Sequence, residues 1–296
     1  MKKVIVLAGA TGALGQLIGH ELLRRGAGLR ALVREGTAAE RTAGLREAGA
    51  EIVPVNFGEA TALTDGCRGA HCVVSALSGL HEVIVRLQTQ LVDAAVAAGV
   101  PRFIPSDYSV DFTTIVPGTN RNLDYRREFQ RIVDEQDIAV TSVLNGMFAD
   151  LLTGEAPLIL FAIRRVLVFG DPDQPIDVTT MRNTAQYTAA VALDDDTPRW
   201  LRIAGEVTTA RGLADTAAAV TGKPFGLLRP GGIGTFDTLI KVTRFFAPAR
   251  DELFPPWQGM QYLRDMYSGR AKLATLDNDR YPDIRWEGVA QVLERR

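Results

Sequence analysis

Between Lys3 and Lys223 the sequence contains no lysine; its lysines are Lys2, Lys3, Lys223, Lys241 and Lys272. Across that interval basic charge is carried by arginine, which stays protonated at any working pH and cannot serve as a general base. Cysteine is scarce as well. Cys67 and Cys72 match neither a Cys-x-x-Cys pair nor a metal set, and a reducing cytoplasm is the expected compartment. The three histidines, His20, His71 and His81, are scattered and form no zinc motif. The formal net charge of −2 offers no electrostatic case for nucleic acid or an anionic membrane. Long apolar runs are missing too. Val4–Ala8 is of strand length and breaks at Gly9, so neither a signal peptide nor a bilayer span is expected.

What is present is an ordinary soluble composition over 296 residues, 46% hydrophobic and 23% charged, enough for one large or two modest domains. Strand-length apolar runs at Lys3–Ala8, Leu29–Arg34, Glu51–Asn56, Cys72–Leu77, Pro101–Ser106 and Val140–Asn145 alternate with helical patterns. The helices are expected at Thr11–Arg25, His81–Ala98 and Arg121–Gln136, the first two stopped by Gly26 and Gly99. This rhythm predicts an α/β fold, a Rossmann-type doubly wound parallel sheet. After Gly146 it weakens. Arg164–Gly170 and Trp200–Ala204 read as strands, Asn183–Leu193 and Thr208–Thr221 as helices. From Phe245 the chain is aromatic and proline-rich, a poor sheet and a plausible lid. The expected division is a dinucleotide-binding domain over 1–146 and a smaller mixed α/β substrate lobe over 147–296, some of whose segments return to the sheet.

The stretch "VIVLAGATGALGQLI" sets Gly9, Gly12 and Gly15 between the first strand and the first helix. Gly9 permits a tight turn, Gly12 the approach of a pyrophosphate, and Gly15 close helix packing. A diphosphate then rests on the backbone around Thr11, Ala13 and Leu14, at the positive end of the helix. The second strand ends in Arg34, which suits a 2′-phosphate, so NADP(H) is favoured. Glu35 leaves NAD(H) open, since a shift of one residue would put a carboxylate on the ribose; Arg41 is a second candidate for the phosphate. Asn56 and Phe57 should lie beside the adenine. Ser75, Ala76 and Leu77 should follow the ribose and phosphates, and Pro105 and Ser106 should approach the nicotinamide half, all at carboxyl ends of strands.

"GATGALG", "LVRE", "AGVPRFIPSDYSVDF" and "DIAVTSVLNGMFADLL" together resemble the NmrA-like family of atypical short-chain dehydrogenase/reductases, in its isoflavone reductase-like and phenylcoumaran benzylic ether reductase-like branch. The resemblance implies an NADPH-binding domain with a substrate lobe, and it adds Asn145, the asparagine of the N-x-F-A pattern, to the cofactor set. It also implies a lysine on the helix before the sixth strand that holds the nicotinamide ribose and helps move a proton. Counting back from Ile138, that place falls at Arg126. The nearby "YRREF" only imitates a Tyr-x-x-x-Lys motif, with Phe129 in the lysine's place.

An arginine at this place can hold ribose hydroxyls or steady a developing oxyanion, but the proton must come from elsewhere. Tyr108 is the first candidate, its phenol pKa lowered by Arg126. Tyr125, His81, Asp107 and water are the others, with loop fixing the plainer role for Asp107. "RPGGIGTF" reads as a turn into a helix, and Phe254, Trp257, Met260 and Tyr262 either line an aromatic pocket or pack the lobe. Three functions follow: an NADPH-dependent reductase of an aromatic or apolar small molecule; a non-catalytic NAD(P)(H) sensor that acts on a protein partner; and, more weakly supported, an epimerase- or isomerase-like enzyme.

Overall fold

The computed structural model describes residues 2–154 and 156–296. The chain divides into two compact units. The first comprises Met1–Tyr108, Tyr125–Val143 and Thr184–Leu201, the second Ser109–Asp124, Leu144–Asn183 and Arg202–Arg296. Both are discontinuous and of comparable size, whereas the expected division ran at residue 146, with some later segments returning to the sheet. Rhythm reports local periodicity, whereas the grouping of distant segments is decided by tertiary packing.

The first unit is built on a six-stranded sheet of β1 (Val4–Ala8), β2 (Gly28–Arg34), β3 (Glu51–Val55), β4 (Cys72–Ser75), β5 (Arg102–Ile104) and β6 (Ala139–Val140). Their order is β3-β2-β1-β4-β5-β6, and each neighbouring pair is parallel. This is the doubly wound order, which reverses direction between β1 and β4 and so opens a crevice at their carboxyl ends. The helices between the strands are α1 (Ala13–Arg24), the short α2 (Ala43–Glu47) and α3 (Ala60–Cys67). A π-helical turn over Glu82–Leu87 follows β4 and runs into α4 (Gln88–Ala97); next comes α5 (Arg121–Asp134). Strands β1 and β4 are buried almost throughout, as a parallel sheet covered on both faces requires.

Two departures from the expected elements matter. The single helix expected at His81–Ala98 begins with the π turn, where Gln88 Nε2 donates to the Ile84 carbonyl at 2.7 Å and the Thr89 hydroxyl to that of Val85 at 2.8 Å. The sixth strand also breaks early. Thr141 N–H still reaches Phe103 O at 3.1 Å, but Ser142 N–H turns to Arg199 O at 2.9 Å, so the run expected through Asn145 leaves the sheet at Ser142 and continues as β7 (Ser142–Leu144), paired with β12 (Trp200–Arg202). On the far side of β5, the buried Arg102 guanidinium donates to the Val191 and Asp194 carbonyls and the Thr197 hydroxyl. These acceptors lie at and just beyond the end of α6 (Met181–Leu193), and they hold 184–201 to the sheet.

The second unit contains two three-stranded sheets. In one, β10 (Arg165–Phe169) lies parallel to β14 (Gly226–Gly231) and antiparallel to β9 (Ile159–Leu160). In the other, β11 (Ile176–Thr179) is flanked by β8 (Met147–Phe148) and β13 (Glu206–Thr208). Helices α7 (Ala210–Thr221), α8 (Ile233–Phe246), α9 (Pro256–Tyr267) and α10 (Val289–Glu294) complete it. "RPGGIGTF" is the end of strand β14 running into α8, so more of it is extended than the expected turn. The proline-rich stretch holds α9, with Pro256 at the first helical position, where proline is tolerated because its missing N–H has no intrahelical partner.

Candidate functional site

The glycine loop divides its labour differently from its spacing. Gly9 has φ +84°, and a Cβ there would meet the Ala76 carbonyl oxygen at 2.4 Å, so both backbone conformation and the loop after β4 require glycine. A Cβ on Gly15 would stand 2.1 Å from the Gly9 oxygen; this glycine packs α1 against the loop itself. Gly12 has nothing closer than 3.5 Å. It is the glycine that leaves room for a ligand, although its own N–H is held by Gly9 O at 3.1 Å. No side chain caps α1 among the described residues, which leaves the first-turn N–H groups of Ala13 and Leu14 for an anion. Arg41 borders the same loop, with Nη2 3.4 Å from Thr11 O while Gln16 Nε2 holds the Arg41 carbonyl at 2.8 Å.

Within the first unit, at the carboxyl ends of β2 and β3, lies a cleft of about 490 Å³. Arg34 and Glu35 reach it from the end of β2, Asn56 and Phe57 from the end of β3, and Arg86 and Gln90 from the π turn and the start of α4. Arg34 is exposed and makes no ion pair among the described residues, so its charge is available. Asn56 is engaged: its Oδ1 accepts from Gly58 N–H at 2.9 Å and its Nδ2 donates to Glu59 at 3.2 Å. It shapes the loop, and the buried Phe57 supplies the apolar wall. Arg86 and Gln90 escaped sequence reasoning because a helix face next to a core stripe carries no motif.

The loops after β4 and β5 are fastened together. Ser106 Oγ donates to Leu77 O at 2.7 Å, and Ser106 N–H to Gln88 Oε1 at 2.9 Å. Ala76 N–H extends the sheet to Ala8 O at 2.8 Å, and Pro105 is buried. Ser106 therefore fixes the loop instead of presenting a free hydroxyl. Ser75 Oγ is buried without a hydrogen-bond partner among the described residues.

Phe129 is fully buried, its ring 6.3 Å from that of Phe103 in the core under the sheet. A lysine there would be trapped in hydrocarbon, which removes the Tyr-x-x-x-Lys reading. Tyr125 is half-buried and meets His81 edge-on at 5.3 Å, and His81 lies 2.9 Å from Glu128 at the surface. Arg126 is also half-buried, close enough to Asp107 for its charge to favour that group's carboxylate form.

Tyr108 corrects an expectation. Burial, the largest cause, pushes its pKa far above the ordinary phenol value, and the neighbouring Asp107 adds to the rise. The Thr188 hydroxyl faces it and acts the other way, but no hydrogen bond is completed between the two. Arg126 does not lower this phenol as anticipated, because desolvation outweighs any distant charge.

Asp107 is itself buried, its Oδ2 accepting from Ser142 Oγ at 2.6 Å. Arg199 holds that hydroxyl at 2.7 Å and Asp134 at 2.8 Å. Burial raises the Asp107 pKa; Ser142, Arg126 and Arg199 oppose the rise without cancelling it. A raised carboxyl pKa contributes stability below the unfolded value of about 4, and loses it as pH climbs through the folded value. Asp107→Asn keeps an acceptor for Ser142. It should therefore be at least as stable as the parent at pH 7 and lose less stability between pH 4 and 8, as urea melts across that range would record. An unchanged pH profile would mean that Asp107 titrates normally.

In the second unit, Asn145 is completely buried and both polar atoms of its side chain have no partner among the described residues. Its backbone is fixed to Ser109 O at 3.0 Å and by the Thr179 hydroxyl at 2.7 Å. Trp257 packs the lobe instead of lining a pocket: it is buried, with Arg121 and Arg244 over its ring and Nε1 on Pro248 O at 3.0 Å. Phe254 is exposed, and Met260 and Tyr262 are half-buried. Among the described residues no His, Cys, Asp and Glu cluster could hold a metal, and no helix is long and apolar enough to cross a membrane.

The family model of the NmrA-like family matches residues 1–230. Pinoresinol reductase 1 of Arabidopsis thaliana is 27% identical over 210 residues, 66% of each chain, slightly under two thirds of that protein's length. A bifunctional pinoresinol-lariciresinol reductase of Linum album is 27% identical over 264 residues, 83% of this chain and 78% of the other. Among solved structures, an isoflavone reductase superposes with a TM-score of 0.85 at 18% identity, and AtPrR2 with NADP+ and (+)pinoresinol with 0.83 at 21%. Each alignment covers 100% of this chain and 99% of the other.

Proposed function

Because the chain belongs to the NmrA-like family, we propose that it is an NADPH-dependent reductase of an aromatic or apolar small molecule. The observation that carries this is the conjunction of an uncapped α1 behind the glycine loop with the cleft that Arg34 enters. Relatives named as pinoresinol and pinoresinol-lariciresinol reductases support the reductase class and an aromatic substrate. A bound NADPH would supply the hydride. The first turn of α1 would take its diphosphate, Arg34 and Arg41 its 2′-phosphate, and Asn56, through the loop it shapes, and Phe57 the adenine end. The loops at Ser75, Ala76, Leu77, Pro105 and Ser106 would follow the rest.

Arg126 takes the place of the family lysine in part. It can hold ribose hydroxyls and steady an oxyanion, but it keeps its own proton. With the Tyr108 pKa raised, the proton comes from water. One observation favours a second reading, an NAD(P)(H)-responsive regulator acting on a protein partner: the lysine-free interval from Lys3 to Lys223.

The test is loss of nicotinamide absorbance when NADPH is mixed with the protein and furofuran lignans such as pinoresinol, isoflavones, quinones or aromatic ketones. Arg126→Ala should slow turnover about 100-fold, the usual effect of losing one oxyanion donor. Arg126→Lys should keep or raise it, and Tyr108→Phe should leave it nearly unchanged. No turnover on any substrate, together with tight binding that depends on the nucleotide's redox state, would leave the regulator.

A further inference from the structure

Helix α8 carries two apolar faces, and only one of them is covered. Phe236 and Ile240 are buried in the second unit, where the Phe236 ring stacks on Phe169 at 3.9 Å. On another side of the helix Leu239, Val242 and Phe246 recur at i, i+3 and i+7, which places them in one stripe. All three are exposed, and Phe245 beside them meets Phe246 edge-on at 5.1 Å. Phe245 and Phe246 are each 79% exposed, more than any other large apolar side chain among the described residues. Single exposed apolar groups need no explanation, but a contiguous patch marks a site of association. The base of this patch is firmly held. Arg244 and Arg121 lie over the ring of the buried Trp257 at 5.0 and 4.7 Å, and Trp257 Nε1 donates to Pro248 O at 3.0 Å. Arg121 also donates to the Arg250, Glu252 and Leu253 carbonyls at 3.1, 2.9 and 2.9 Å. The chain leaving α8 is thus pinned on several sides.

We propose that this stripe is the seam of a two-fold dimer, with α8 packed antiparallel on α8 of a second copy of the chain. Area, spacing and charge each support it. Leu239, Val242, Phe245 and Phe246 together expose on the order of 500 Å² of mainly apolar surface. A standard interface takes about 800 Å² from each partner, roughly 60% of it apolar, which is the same amount. Val242 lies next to the midpoint between Leu239 and Phe246. A two-fold axis there sets Val242 against its own copy and Leu239 against the second copy's Phe246, so that a small side chain sits at the crossing and each leucine fills beside a ring. Lys241 and Arg244 lie off the stripe, Arg244 over Trp257, and just beyond the helix the exposed Arg250 is followed by the exposed Asp251 and Glu252. That mixture of signs suits a copy of itself and gives an anionic membrane no basic border to grip.

Sedimentation velocity of the full chain is the experiment. At about 10 μM, above the weakest affinity usual for an interface of this area, the parent should sediment as a dimer. Val242→Glu sets two carboxylates face to face at the axis and should weaken the dimer roughly 30-fold or more, the size of a hot-spot loss. Its circular dichroism spectrum should stay that of the parent. Should the glutamate variant fail to fold, Val242→Cys decides. Mild oxidation should link it into a covalent dimer, and should leave Lys241→Cys, which is off the stripe, as single chains. A parent that stays monomeric overturns the proposal, including one that binds vesicles of anionic phospholipid instead. So does a dimer that survives Val242→Glu, or equal cross-linking of the two cysteine variants.

Discussion

Arg34→Ala should weaken NADPH binding roughly 10- to 100-fold while NADH changes little, because a charge-assisted contact to phosphate is worth about 1.5–3 kcal/mol. The guanidinium stands at the end of β2, exposed and outside any ion pair among the described residues, so its charge is not already neutralised. NADH lacks the 2′-phosphate and has no reason to register the loss. Glu35 lines the same cleft, and the Arg34→Ala protein should lean toward NADH more than removal of one contact alone would produce. Exposure makes the effect sensitive to ionic strength, and it should shrink between about 0.01 and 1 M salt as screening shortens from ~30 to ~3 Å. Fluorescence titration of both reduced nucleotides at two salt concentrations measures all of this. Equal losses for NADPH and NADH would remove the 2′-phosphate assignment.

Gly15→Ala and Gly12→Ala should fail in different ways. At Gly15 the new methyl would lie 2.1 Å from Gly9 O, 2.8 Å from Gly9 C and 3.0 Å from Ala10 Cα. These are backbone atoms of the loop, and the loop is pinned on its other side by the approach of Gly9 to Ala76. Relief therefore means moving α1 or breaking the turn, at a cost of about 2–4 kcal/mol, typical of severe overpacking. At Gly12 the nearest atom is 3.5 Å away, so the alanine protein should melt within about 0.5 kcal/mol of the parent. It should nonetheless bind nucleotide poorly, since the methyl occupies the diphosphate's approach. Urea denaturation and nucleotide titration on the two variants separate the effects. A Gly15→Ala protein of parental stability would show that the loop yields more readily than this packing implies.

The parallel sheet was legible because buried strands are continuous apolar runs and glycines punctuate the helices between them. The glycine turn between β1 and α1 was legible for the same reason, though Gly15 packs against the loop and not the sheet. Helix α9 was hidden because Pro255, Pro256, Phe254 and Trp257 look like helix breakers and a lid, although Pro256 begins the helix and Trp257 anchors its buried side. The π turn is a matter of hydrogen-bond register, invisible to apolar spacing, and with it went Arg86 and Gln90. Tyr108 was misjudged because its position at the carboxyl end of a strand is visible in sequence, whereas the desolvation that governs its titration is not.

The interleaving of the two units also bears on biosynthesis. The first unit is not finished when residue 146 leaves the ribosome, since it includes Thr184–Leu201. Arg102, at the start of β5, is buried against carbonyls at Val191 and Asp194, so a chain ending earlier leaves its guanidinium without these acceptors and the sheet without the segment they hold. A fragment cut at 146 should accordingly be recovered as an aggregating species rather than a working nucleotide binder.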